Sequence, residues 1–141
     1  VVIRIPFPHT KIQEIVMAVL QEVKVIDLIG HYSIIAGEKF GRPDSEERLK
    51  GSGVRFTEKS VTVYDPDKNE TYGADYELDC SETPCRITMK ATKPDSGEVA
   101  HGLIERSGDT VRLIYSLPGE AKPTSFSTAG KQLMFVMEKS A

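Results

Sequence analysis

The stretch Tyr72-Gly73-Ala74-Asp75-Tyr76-Glu77-Leu78-Asp79 decides the fold. Tyr72, Ala74, Tyr76 and Leu78 take every second position, and Gly73, Asp75, Glu77 and Asp79 fill the gaps. A period of two places one set on each face of an extended strand, which a helical repeat of 3.6 residues would not do. The acidic set therefore reads as a solvated outer face and the apolar set as an inner one.

The pattern continues on both sides. Upstream lie Tyr32-Ser33-Ile34-Ile35 from Gly30, Val54-Arg55-Phe56 and Val61-Thr62-Val63-Tyr64. Downstream, Ile87 and Met89 alternate with Arg86, Thr88 and Lys90, and Val99, His101 and Leu103 with Ala100, Gly102 and Ile104. Val111, Leu113 and Tyr115 alternate with Arg112, Ile114 and Ser116, and Leu133, Phe135 and Met137 with Met134, Val136 and Glu138. These are eight predicted strands. All eight prolines fall outside them, as ladder hydrogen bonding requires. No helical segment separates the strands, so sequential antiparallel pairing is expected over a parallel βαβ sheet. Eight such strands closed on themselves lose both edges, and the interior then either fills with side chains or holds one small ligand.

Loop lengths give the barrel two unlike ends. The connections over 36–53, 91–97 and 117–131 are long and fall at one end. Thr57-Glu58-Lys59, the segment from Cys80 to Cys85 and Ser107-Gly108-Asp109 are short and fall at the other. The turn Asp65-Pro66-Asp67-Lys68 is the short exception at the long-loop end. A barrel admits ligand where its loops are loose. The candidate lining is Val63, Tyr72, Tyr76, Met89, Ile104, Leu113, Tyr115 and Phe135. Tyr hydroxyls would orient a polar end of a ligand while Met and Ile take its apolar body. In the alternative, the same side chains touch one another and fill the barrel.

Ahead of the strands, Thr10 suits a helix N-cap, and Ile12, Ile15, Val16, Val19, Leu20 and Val23 form one apolar stripe. The chain thus divides into an N-terminal segment, 1–28, with an amphipathic helix, and a barrel over 29–141. The stripe is expected to cap the barrel, lie along its wall or meet a protein partner. The chain opens on Val1 rather than Met, which suits a processed product or an excised piece.

The 141 residues carry 18 Lys and Arg against 21 Asp and Glu, a net charge of −3. That balance argues against nucleic-acid binding, whose basic footprint takes a domain above pI ~9. No apolar run approaches the ~18 residues of a membrane helix. Cys80 and Cys85 are the only cysteines and can face each other across a hairpin, within disulfide reach. A bond there would favour an exported or periplasmic, oxidising location, whereas two reduced thiols would suit a cytosolic one. They lack the further ligands of a metal site, and no cofactor or metal is expected. His9, His31 and His101 are scattered singly, no Gly-x-Ser-x-Gly elbow occurs, and no catalytic residues are expected. Asn69-Glu70-Thr71 fits the N-glycosylation sequon, a motif that is common by chance and without use in most bacteria.

Several segments, in order, resemble a lipocalin-like conserved domain family found in planctomycetes and other bacteria, often in exported or multidomain proteins. They are Leu28-Ile29-Gly30-His31-Tyr32, Leu49 through Phe56 followed by Lys59-Ser60-Val61-Thr62-Val63, Ser107 through Leu113, and Leu117-Pro118-Gly119 through Phe126. Tyr32 stands where Gly-x-Trp proteins carry tryptophan. The resemblance spans Leu28 to Lys139 and implies an eight-stranded up-and-down barrel with no catalytic residues; the family's molecular function is undefined. Read from the residues alone, Tyr32 is expected either to stack with a cation from the last strand, such as Lys139, or to stand as a plain half-exposed tyrosine. The expectation for function is a non-catalytic barrel that binds a small apolar or amphipathic ligand. The alternative is a structural or interaction module with a filled barrel.

Overall fold

The computed structural model describes residues 24–44, 46–93 and 97–140. A single-turn helix α1 (Val25–Leu28) leads into β1 (Gly30–Lys39), followed by β2 (Arg42–Pro43) and a second helical turn α2 (Glu46–Leu49). There follow β3 (Gly53–Phe56), β4 (Ser60–Tyr64), β5 (Glu70–Asp79), β6 (Cys85–Lys93), β7 (Val99–Ser107), β8 (Thr110–Ser116) and β9 (Gln132–Lys139). The predicted long helix ahead of Lys24 lies outside the described residues.

Each strand from β3 to β9 pairs antiparallel with the next, β1 pairs with β3, and β1–β9 pairing closes the barrel. The result is an eight-stranded antiparallel up-and-down barrel, with the two-residue β2 added on β1. β1 serves both neighbours by changing partners along its length. Gly30 to Ser33 face β3, and Tyr32 to Lys39 face β9. A bulge between Ile34 and Ala36 bends the strand at the hand-over. Closure leaves no long free edge for another chain to extend.

The inside of the barrel is the core. Every residue read as inward from the alternation belongs to one cluster there, from Val61 and Val63 through Ile87 and Met89 to Leu113 and Met137. Gly102 shows how closely the strands approach: a Cβ on it would lie 2.2 Å from the Ile114 carbonyl oxygen. β7 and β8, apolar on both faces, have a second partner outside. Leu103, Ile114 and Met134 form an outer cluster with Phe126, which comes from the 117–131 connection. That connection lies back on the wall, with the Arg112 guanidinium 4.6 Å from the Phe126 ring centroid and ion-paired to Glu105. Thr128 donates from both its N–H and its hydroxyl to Glu38 at 3.1 Å, fastening the same segment.

The short-turn end is a floor. Leu28 of α1 is fully buried beneath it. Phe56 stands edge-on to both Tyr32 and Tyr76, with centroids 5.6 Å apart in each pair. Such aromatic pairs add roughly 0.5–1.5 kcal/mol beyond area burial. The polar tips are satisfied locally: Tyr32 donates to the Leu28 carbonyl at 2.8 Å, and Tyr76 to the Thr57 carbonyl at 2.7 Å. The expected Tyr32–Lys139 stack is replaced by this arrangement. Lys139 pairs with Tyr32 in register but sends its ammonium to the Asp27 carbonyl, 3.3 Å away.

Candidate functional site

The open end is the candidate site, because the strand alternation carries four large side chains to it. Val63 of β4 sits opposite Tyr72 of β5, and Tyr115 of β8 lies beside Phe135 of β9 with ring centroids 6.3 Å apart. All four are partly buried and packed on the core. Beneath them Val54, Val61, Met89, Leu113 and Met137 complete the lining of one interior void of about 10 Å³. That space holds at most a single water. Small-molecule pockets start near 300 Å³. Among the described residues the barrel is therefore packed, with no chamber under its mouth.

Six of the eight residues expected to line a pocket border this void: Val63, Tyr72, Met89, Leu113, Tyr115 and Phe135. Tyr76 instead stands in the aromatic floor, and Ile104, fully buried, lies opposite Cys85 on the β6–β7 ladder. Leu49 was not foreseen. It is 5% exposed, rides on α2 between β2 and β3, and joins the core cluster at the open end. Gly37 permits this close packing: a Cβ there would lie 2.9 Å from the Met134 carbonyl oxygen, 3.3 Å from Leu49 Cδ1 and 3.5 Å from Phe135 Cδ1. One signal was available, since Leu49 is the single aliphatic residue in the charged stretch from Arg42 to Lys50.

The mouth is electrically quiet. Burial raises the pKa of Tyr72, and of Tyr115 well above the ordinary phenol range, so both remain neutral phenols at physiological pH. No hydrogen bond ties either hydroxyl to a protein group among the described residues. The phenols can donate and accept, and the described residues that border the void are all uncharged.

Other candidate chemistry is dispersed. Cys80 and Cys85 form a disulfide with Cα atoms 4.3 Å apart, closing the β5–β6 hairpin at the floor. Among the described residues no group of three or more His, Cys, Asp or Glu could hold a metal ion. Asp75, Glu77 and Asp79 are exposed on the outer face of β5. The Asp79 carboxyl is held below its usual range by the Ser81 N–H and hydroxyl, a local turn interaction. His101 is half-buried on β7 opposite Thr88. No helix among the described residues is long and apolar enough to cross a membrane.

Larger hollows occur only on the outside among those observed. One of about 520 Å³ lies by the 117–131 connection and includes Glu38, Pro84, Glu105, Arg112, Phe126 and Met134. Another, of about 600 Å³, lies over β5 and β6 and includes Lys59, Asp75, Glu77, Lys90 and Val99. Comparison with protein-family models, with curated proteins and with solved structures found no match.

Proposed function

We propose that this chain is a non-catalytic, lipocalin-like barrel that works as a packed structural or recognition module, through its outer surface. The observation that carries this reading is the interior void of about 10 Å³. A drug-sized or lipid-like molecule needs tens of times more room. Leu49 packs into the core at the open end, edge-on aromatic pairs fill the floor, and hollows large enough for a partner's side chains lie outside. The disulfide supports an oxidising, extracytoplasmic setting, where a small domain gains from a staple. The family resemblance agrees with a binding or structural role and implies no catalytic residues.

A second reading rests on the two phenols. Tyr72 and Tyr115 present hydroxyls with no hydrogen-bond partner among the described residues at the rim of an apolar well, which suits the polar end of a small uncharged ligand. Titration of the native protein with an apolar fluorescent dye separates the two. The packed-module reading expects no saturable signal. One-to-one saturable binding that Leu113→Trp abolishes would replace it with the ligand reading.

A further inference from the structure

We propose that Asn69 is an acceptor site for an N-linked glycan. Three observations bear on it. Asn69-Glu70-Thr71 has the required Asn-x-Ser/Thr order, with a residue other than proline between. All three residues are exposed on the β4–β5 hairpin at the open end, with the Thr71 hydroxyl donating to the Val63 carbonyl at 3.3 Å and Glu70 ion-paired to Lys93 at 3.2 Å. The Cys80–Cys85 disulfide fits an oxidising compartment, the setting in which N-linked glycans are added.

The hairpin presents the acceptor amide without needing it. The Asp65 carboxylate accepts from the Asp67 and Asn69 backbone N–H groups at 2.9 Å each, and Asp65 N–H donates to the Asn69 carbonyl at 2.9 Å. The turn is thus held by Asp65 and the Asn69 backbone. The Asn69 side chain adds only a long 3.4 Å contact to Asp65. Glycosylation would give up that contact and leave the turn intact.

The step is a group transfer with no redox change. Asn69 Nδ2 forms a bond to the anomeric carbon of an oligosaccharide carried on a lipid diphosphate. The anomeric carbon–oxygen bond breaks, its electron pair leaves with the diphosphate, and one amide proton passes to a base of the transferase. The inference is independent of whether the barrel interior is packed, since the hairpin lies outside the void.

The test is secretion of the full chain from a host with an N-linked oligosaccharyltransferase, followed by intact and peptide mass spectrometry. The expected result is one glycan on the peptide containing Asn69, with Asn69 read as Asp after peptide N-glycosidase. Asn69→Gln and, separately, Thr71→Ala should each abolish it. Gly108→Asn makes Asn-Asp-Thr in the exposed β7–β8 turn, at a position of φ 59° that Asn tolerates. If the Gly108→Asn chain carries sugar at position 108 while its Asn69 peptide carries none, the proposal is overturned.

Discussion

Leu49 fills the space that Gly37 leaves bare: the side chain of one lies 3.3 Å from where a Cβ of the other would stand. A helical turn between strands thereby adds a buried side chain to the core at the open end of the barrel. Leu49→Ala removes that side chain while leaving Gly37 in place. Truncating a buried Leu costs ~2–5 kcal/mol, depending on how far the site collapses. The midpoint of urea unfolding should fall accordingly, and the variant should take up apolar dye that the parent refuses. An unchanged midpoint would show that Leu49 does not pack as described.

Gly102 makes a sharper demand. A methyl group there would sit 2.2 Å from the Ile114 carbonyl oxygen, which is backbone and cannot rotate away. Gly102→Ala should cost at least the ~1–3 kcal/mol typical of overpacking, because β7 and β8 must separate locally. Gly108→Ala, with nothing within 4 Å of the added carbon, isolates the separate penalty of a positive φ. Denaturant melts of the two should rank Gly102→Ala as the worse. The reverse order would mean that the strands are not so close.

These two glycines mark where the sequence was legible and where it was not. Alternation alone assigned the strands and the inward set, because a period of two is imposed by strand geometry and every inward side chain had to find the same interior. Val99–Ile104 and Val111–Ser116 were ambiguous, both faces being apolar. The resolution depended on Phe126, which arrives from the 117–131 connection to cover the outer face. The packed state was illegible for a related reason. Whether eight strands enclose a chamber turns on a few cubic ångströms at each position, and on Leu49, which is distant in sequence from most of the residues it packs with. β2 and α2 are each too short to leave a periodic signature.

The disulfide links residues five apart, so it closes a small loop. By chain entropy such a bridge is worth about 2 kcal/mol. Denatured, unreduced protein should show no titratable thiol. The double variant Cys80→Ser with Cys85→Ser should remain folded with a stability lower by about that amount. Two free thiols in protein prepared under oxidising conditions would contradict the bond and the extracytoplasmic setting inferred from it.

Alkaline pH should unfold the barrel. Burial pushes the Tyr32 phenol up to about 12, partly offset by Arg106, and burial also raises Tyr72, Tyr76 and Tyr115. The folded state therefore retains phenolic protons that the unfolded chain releases near ~10. Stability from these groups is fully present below that pH and declines as pH rises through the folded values. Circular dichroism and phenolate absorbance followed together should show most phenolate appearing with loss of structure. Ionisation of these tyrosines near pH ~10 in a still-folded protein would mean that they are not buried.

The packed interior itself is probed most directly by methyl-resolved NMR of the native protein under xenon pressure. Xenon enters apolar cavities that exclude larger probes. The account predicts that the methyl signals of Val63, Met89, Leu113 and Met137 stay unperturbed, with Leu49→Ala giving saturable shifts at the same methyls. Saturable shifts at those methyls in the unmodified protein would reveal a chamber and contradict it.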